Sequence, residues 1–343
     1  MQKNGLRSFD AARTEKLVML KSIEDKTYKR GDRYTVDEFW QKYSKIKYES
    51  GDWRVTTYRN QVNMYNSHLK QKWGGYKLDE VRRFDFQEWI SEYIPKHNLS
   101  RAMSKSIVSV FKAMFSTAMM DDIIMKNPIM RISTNGKEPK DKSMTQDEYK
   151  QITDYIFHSP ALSDRNRALA VLALHGLRRG EIAGIKLKDI QDGKIGVFGQ
   201  VNRYGDYSET KTDAGNRWVP LMPGAQEILN KAVIAARHKA ARMQGKNLGP
   251  DDFIFLNSSG TPLKPWTITN MFTEISDDLG IKVYPHKLRH AFATFVFSIP
   301  GINPKDVMHI LGHSNIDMSM YYNTGTEEGK AQTMEQFGKS MLN

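Results

Sequence analysis

The segment Pro285-His286-Lys287-Leu288-Arg289-His290-Ala291-Phe292-Ala293-Thr294 sets two histidines and an arginine side by side. Leu311-Gly312-His313-Ser314 and a Tyr321-Tyr322 pair follow a short distance later. Residues of these types could serve phosphate chemistry through a covalent tyrosine. Attack on a phosphodiester puts negative charge on the non-bridging oxygens of a pentacovalent transition state. Arginine suits that charge, because its planar fork donates two hydrogen bonds and stays protonated. A side-chain oxygen can be the attacking atom if a base and fixed positive charge favour its ionised form. The leaving 5′ oxygen then needs an acid.

The chain supplies candidates for each job. His175-Gly176-Leu177-Arg178-Arg179-Gly180-Glu181 places an arginine just after a glycine at a helix junction, with Arg179 its equal on position alone. Lys211 ends a hairpin strand, from which it can swing over a backbone. His286 and Arg289 lie one helical turn apart on one face. His313 follows a glycine in a turn, and Tyr322 lies nine residues further on. Each has a plainer reading when taken singly. A buried histidine is commonly a satisfied core group, a tyrosine pair near a C-terminus packs, and a hairpin lysine is solvated. The functional reading rests on their occurring together in one domain.

Other chemistries find less support. His286 and His290 stand at i and i+4, the spacing of a zinc-binding pair, but zincin chemistry needs Glu after the first His and Lys287 stands there. No P-loop, G-x-S-x-G elbow or dinucleotide fingerprint is present. The chain has no cysteine, which excludes thiol catalysis, thiolate metal sites and disulfides and fits a reducing compartment. No apolar run is long enough to cross a bilayer, and no apolar h-region opens the chain. We therefore expect a cytoplasmic, nucleoid-associated protein without membrane contact.

The elements that must position these residues fall into two halves. The 343 residues carry a net charge of +12, which points to a polyanionic partner. Residues 1–142 hold 28 Lys+Arg against 18 Asp+Glu, whereas residues 143–343 hold 23 against 21, so the excess sits in the first half. That half reads as a compact all-helical domain. Thr35 is a candidate N-cap before Phe39, Trp40 and Tyr43 at helical spacing, and further helices are predicted over Trp53–Leu69, Phe84–Tyr93 and Lys105–Met120. In the last of these, Ile107, Phe111, Met114 and Ala118 share a face that Val108, Phe115 and Met119 widen, a stripe read as core. Asn127-Pro128 breaks the pattern, and Ser133–Ser143 reads as a linker.

Thr145-Gln146-Asp147-Glu148 resembles a capping box opening the second domain. Helices run to about Leu187. Strand signals follow at Lys194–Val201, Tyr207–Thr212 and Arg217–Leu221, the last two flanking Asp213-Ala214-Gly215-Asn216 with its turn chemistry. These are expected to form one small antiparallel sheet. Helices resume at Ala225–Met243, Thr267–Leu279, His286–Ser298, Pro304–Leu311 and Asp317–Tyr322.

These residues in this order resemble the tyrosine recombinase (phage-type integrase) family. The matching pieces are Gly176-Leu177-Arg178 with Glu181, Lys211-Thr212 before Arg217-Trp218-Val219-Pro220-Leu221, His286-Lys287-Leu288-Arg289-His290 with Phe292-Ala293-Thr294, and Leu311-Gly312-His313-Ser314 with Tyr322. They cover about residues 143–325. The resemblance implies a mainly α fold with a small antiparallel β-sheet, arranged as a two-domain DNA clamp. Its parts would be a basic N-terminal extension (1–33, a remnant of an arm-binding domain), a helical core-DNA-binding domain (34–132), a linker (133–143), a mixed α/β catalytic domain (144–324) and a tail (325–343) docking in cis or on a neighbouring protomer.

Carried over residue by residue, Tyr322 would attack the scissile phosphate and form a 3′-phosphotyrosine. Arg178 and Arg289 would hold the non-bridging oxygens, Lys211 would protonate the leaving 5′ oxygen, His286 would act as general acid/base and His313 would donate to the phosphate. Glu181 would hold the arginine loop, and His290 would brace the helix presenting Arg289. Where the family often has His two residues after its nucleophile, this chain has Thr324. The implied function is site-specific recombination that integrates or excises a mobile genetic element, with no cofactor and no metal. The implied partners are double-stranded recombination sites, a homo-tetramer on DNA, and accessory DNA-bending or directionality proteins. A Xer-like dimer resolvase and a catalytically idle DNA-binding protein are the alternatives.

Overall fold

The computed structural model describes residues 34–137, 143–210, 215–299 and 301–312, with scattered positions between 11 and 21. The expectations for the N-terminal extension, the Asp317–Tyr322 helix and the C-terminal tail fall on residues outside that set, wholly or in large part. The chain divides into two compact units, Met1–Lys140 and Asp141–Asn343. It is mainly helical, with small antiparallel sheets in the second unit.

The first unit comprises α1 (Val36–Glu49), α2 (Val55–Met64), a π-helical turn (Tyr65–Leu69), α3 (Lys70–Trp73), α4 (Arg83–Lys96) and α5 (Arg101–Met120). Thr35 caps α1 in a full capping box, its hydroxyl accepting from Glu38 N–H at 3.1 Å and its N–H donating to the Glu38 carboxylate at 2.7 Å. The core is aromatic: Trp40 stacks on Tyr65 at 4.4 Å between ring centroids, and Trp73, Phe86, Phe111 and Phe115 are buried beside them. The wide turn carries Tyr65, whose hydroxyl reaches Asp37 Oδ1 at 3.1 Å. The α5 stripe is core as far as Ala118. Met119 does not widen it and is 39% exposed, because the chain turns back at once, with Ile123 N–H donating to the Ala118 carbonyl. Beyond Asn127-Pro128 the chain stays on this unit. Buried Asn127 donates to Lys112 O and Ser116 Oγ, Ile129 is buried, and Ser133 and Asn135 hydrogen bond to Gln87 and Ser91.

The second unit is built around α7 (Asp164–Leu174), which is buried on every side from Ala168 to Leu174. Such a helix needs neighbours all round. They are α6 (Gln146–His158), α9 (Ala225–Gln244), α10 (Pro265–Leu279) and α11 (Pro285–Phe297). The Thr145–Glu148 capping box that opens α6 is complete, at 2.8 and 3.1 Å. A short helix, α8 (Arg179–Ala183), follows α7, and α12 (Pro304–Leu311) lies on α11 through Ala293, Val307 and Leu311.

The strands are β1 (Ile190–Gln191), β2 (Lys194–Val197), β3 (Gly199–Val201), β4 (Tyr207–Glu209) and β5 (Arg217–Pro220). They depart from the single expected sheet. Among the described residues, β1, β2 and β5 form one antiparallel sheet in the order β1-β2-β5, and β3 pairs separately with β4. The apolar run Lys194–Val201 breaks at Phe198, so its halves serve different sheets. Consequently β5 pairs with β2, Val197 facing Arg217 and Ile195 facing Val219. No described helix is long and apolar enough to cross a membrane.

Candidate phosphate-binding site

Three of the six proposed site residues lie among the described residues, and they come together. Arg178, His286 and Arg289 line one recess of about 430 Å³ with Arg179, Thr269 and Tyr284. Lys211, His313 and Tyr322 lie outside the described residues, as does Tyr321.

The recess owes its shape to the end of α7. Gly176 has φ +77°, a left-handed conformation that favours glycine. A Cβ there would come within 2.9 Å of Leu311 and 3.2 Å of Phe292, so glycine also permits α11 and α12 to close on this turn. The turn delivers Arg178 at the N-terminus of α8 and leaves the Gly176 carbonyl facing Arg289.

His175 anchors the same turn. Its Nδ1 lies 2.7 Å from the Val171 carbonyl, and its Nε2 accepts from Met222 N–H at 2.8 Å. The two partners place the single ring proton on Nδ1. Burial pushes this histidine below its ordinary pKa, against the opposing pull of the Val171 carbonyl. The unfolded chain therefore takes up the proton first, and stability falls as the solution acidifies through the ordinary histidine range. His175→Asn, measured by denaturation between pH 7.5 and 5 (about the range in which histidine titrates), is expected to be less stable than wild type at neutral pH. Its acid-side slope should also be shallower, by at most about 1.4 kcal/mol per pH unit. Parallel slopes would contradict this.

Glu181 and Arg217 organise the floor. Glu181 is 4% exposed and Arg217 6%. Arg217 Nη2 and Nη1 bond to the two Glu181 carboxylate oxygens at 2.9 and 3.3 Å. Arg178 adds its Nη1 at 2.8 Å and its backbone N–H at 2.9 Å. Burial alone pushes the Glu181 carboxyl up, but Arg217, then Arg178, outweigh it and hold the group below its ordinary range.

Arg178 and Arg217 join Arg289 at a second target. Arg217 Nε donates to the Ile310 carbonyl at 2.7 Å, Arg289 Nη2 to Leu311 at 2.6 Å and Arg178 Nη2 to Gly312 at 3.4 Å. These consecutive carbonyls close α12, where a helix leaves its C-terminal acceptors unpaired and carries partial negative charge. The guanidiniums satisfy them and tie the end of α12 to the recess. Gly312, at φ +64°, is the left-handed cap that turns the chain away at that point.

Arg217 is the buried charged position of the site that sequence reasoning left without a role. The available signal was a charged residue alternating inward with Val219 on a strand, since a buried charge requires a partner and Glu181 is the acid that answers it. His290 lies on the helix that carries Arg289, and its Nε2 meets His286 Nε2 at 2.9 Å. Among the described residues no group of three or more metal-ligating side chains occurs.

The model of the phage integrase family matches residues 142–328. The chain is 28% identical over 295 residues to the transposase from transposon Tn916 of Enterococcus faecalis, spanning 79% of this chain and 70% of that protein. It is 24% identical over 297 residues to tyrosine recombinase XerC of Anoxybacillus flavithermus, spanning 83% and 91%. Among solved structures, a Tn1549 transposon integrase in complex with a circular intermediate DNA superposes with a TM-score of 0.73 at 24% identity, covering 89% of this chain and 99% of that one. A lambda integrase tetramer bound to a Holliday junction gives 0.62 at 20% identity, covering 92% and 87%.

Proposed function

Because the chain belongs to the phage integrase family and is a tyrosine-type site-specific recombinase, we propose that it cleaves and rejoins DNA through a 3′-phosphotyrosine at Tyr322 and integrates or excises a mobile genetic element. The observation that carries this reading is the convergence of Arg178, Arg289 and His286 on one recess, tied by three arginines to the end of α12, just ahead of His313 and Tyr322 in the chain.

The scissile phosphate sits in the recess. Arg178 and Arg289 present guanidinium N–H groups to its non-bridging oxygens, where charge grows as the tyrosine attacks. His286 exchanges a proton near the tyrosine, His313 donates to the phosphate, and Lys211 protonates the leaving 5′ oxygen. The phosphotyrosine conserves the energy of the broken phosphodiester. A 5′ hydroxyl from a partner duplex therefore reverses the step, joins strands and restores the tyrosine without nucleotide hydrolysis. Two cleaved duplexes require four active protomers, so the working assembly is a tetramer on double-stranded recombination sites, with accessory DNA-bending or directionality proteins as further partners. The kinship of relatives named for transposons supports the mobile-element reading.

A duplex nicked close to the cleavage site tests the proposal, because loss of the short fragment traps the intermediate. The full chain is expected to form an SDS-resistant protein–DNA adduct in EDTA. Sequence-specific binding with no adduct on any nicked site would overturn the reading in favour of a catalytically idle DNA-binding protein.

A further inference from the structure

We propose that His290 is a positioning residue for His286, acting on the reaction only through that neighbour. The inference rests on the recombinase reading above and concerns the same site. Both histidines lie on α11, at the i, i+4 spacing that brings side chains to one face. Their Nε2 atoms are 2.9 Å apart, and the rings meet edge to face at 87° with centroids 4.4 Å apart. Neither Lys287 nor Leu288 competes for this face. Lys287 is buried with its Nζ on the Lys282 carbonyl at 3.0 Å, and Leu288 is in the core.

At 2.9 Å two ring nitrogens share one proton. One donates and the other accepts, since protons on both would set two N–H groups head to head. The contact therefore does two things to His286. It fixes the ring at the edge of the recess that Arg178 and Arg289 also line. It also couples the tautomers of the two rings, so that whenever one donates through Nε2 the other accepts there. A general acid or base works only within hydrogen-bond reach and in the right protonation state, and His290 governs both for His286.

Single-turnover cleavage of a nicked duplex by the full chain tests this. His290→Phe keeps the ring volume and removes the bond. It is expected to slow adduct formation about tenfold, with DNA affinity and melting temperature unchanged. His290→Gln, which can still donate or accept, is expected to recover most of the rate. In a His286→Ala background, His290→Phe should cause no further loss, because a residue that acts through its neighbour has nothing left to act on. Equal loss from His290→Phe in both backgrounds would overturn the inference, as would a wild-type rate in that variant or failure of glutamine to rescue. If His286→Ala itself cleaves at the wild-type rate, the role given to His286 falls and the inference with it. If the wild-type chain forms no adduct, the recombinase mechanism falls first.

Discussion

Arg289→Lys is expected to slow formation of the covalent protein–DNA adduct by about 10²–10³-fold, the loss typical of removing one donor aimed at developing charge. Arg289 is 5% exposed, with Nη1 on the Gly176 carbonyl and Nη2 on the Leu311 carbonyl. A guanidinium can bridge two carbonyls from different elements and still present an edge to a phosphate. A lysine ammonium is a point charge with no fork and must abandon one partner or the other. The substitution keeps the charge, so it isolates geometry. Affinity for DNA should fall only slightly, because one phosphate contact among many sets a small share of binding. Single-turnover rates on a nicked duplex, measured with binding isotherms at one salt concentration, separate the two effects. A rate within about threefold of wild type would contradict the role assigned to Arg289.

Arg217→Met should act mainly on stability, costing about 3–5 kcal/mol in urea denaturation of the full chain. It removes two of the four hydrogen bonds to the Glu181 carboxylate, which is 4% exposed, and leaves that buried charge with Arg178 as its remaining arginine. Combining it with Glu181→Leu should recover much of that loss, because an apolar pair of matching volume carries no buried charge. Activity is expected to behave differently. In the double variant Arg178 has lost both of its bonds to Glu181, and the Ile310 carbonyl has lost the Arg217 donor. The adduct should therefore form slowly from a protein that folds well. Recovery of stability and rate together would mean that the Glu181–Arg217 pair only fills space.

The sequence told most where one local rule decides the outcome. Thr35 caps α1, the Thr145–Glu148 box opens α6 and the α5 stripe is core up to Ala118, because period and cap chemistry act within a few residues. Met119 follows directly on Ala118, the last buried residue of α5, and periodicity does not reveal where the packed core stops. The strands misled for a related reason. An apolar run such as Lys194–Val201 shows that its residues are buried, but not that the chain changes sheets at Phe198, since pairing is decided by elements elsewhere.

In the candidate site, Arg178, His286 and Arg289 stood out in the sequence because few other roles suit two arginines and a histidine in such motifs, and the fold brings the three to one recess. The partners of Arg217 did not stand out. Its bonds span 36 residues to Glu181 and 93 to Ile310, and no local spacing records them. His290 was legible as a neighbour of His286 by spacing alone, yet the i, i+4 pattern fits a metal pair as well as a hydrogen-bonded one. The 2.9 Å contact gives the second arrangement.

With Tyr322 as the nucleophile whose oxygen becomes bonded to the DNA phosphate, mass spectrometry of the trapped adduct is the most direct test. After nuclease and protease digestion, fragmentation of the cross-linked peptide should place the nucleotide remnant on Tyr322. A remnant on Tyr321, or on any other residue, would contradict the account.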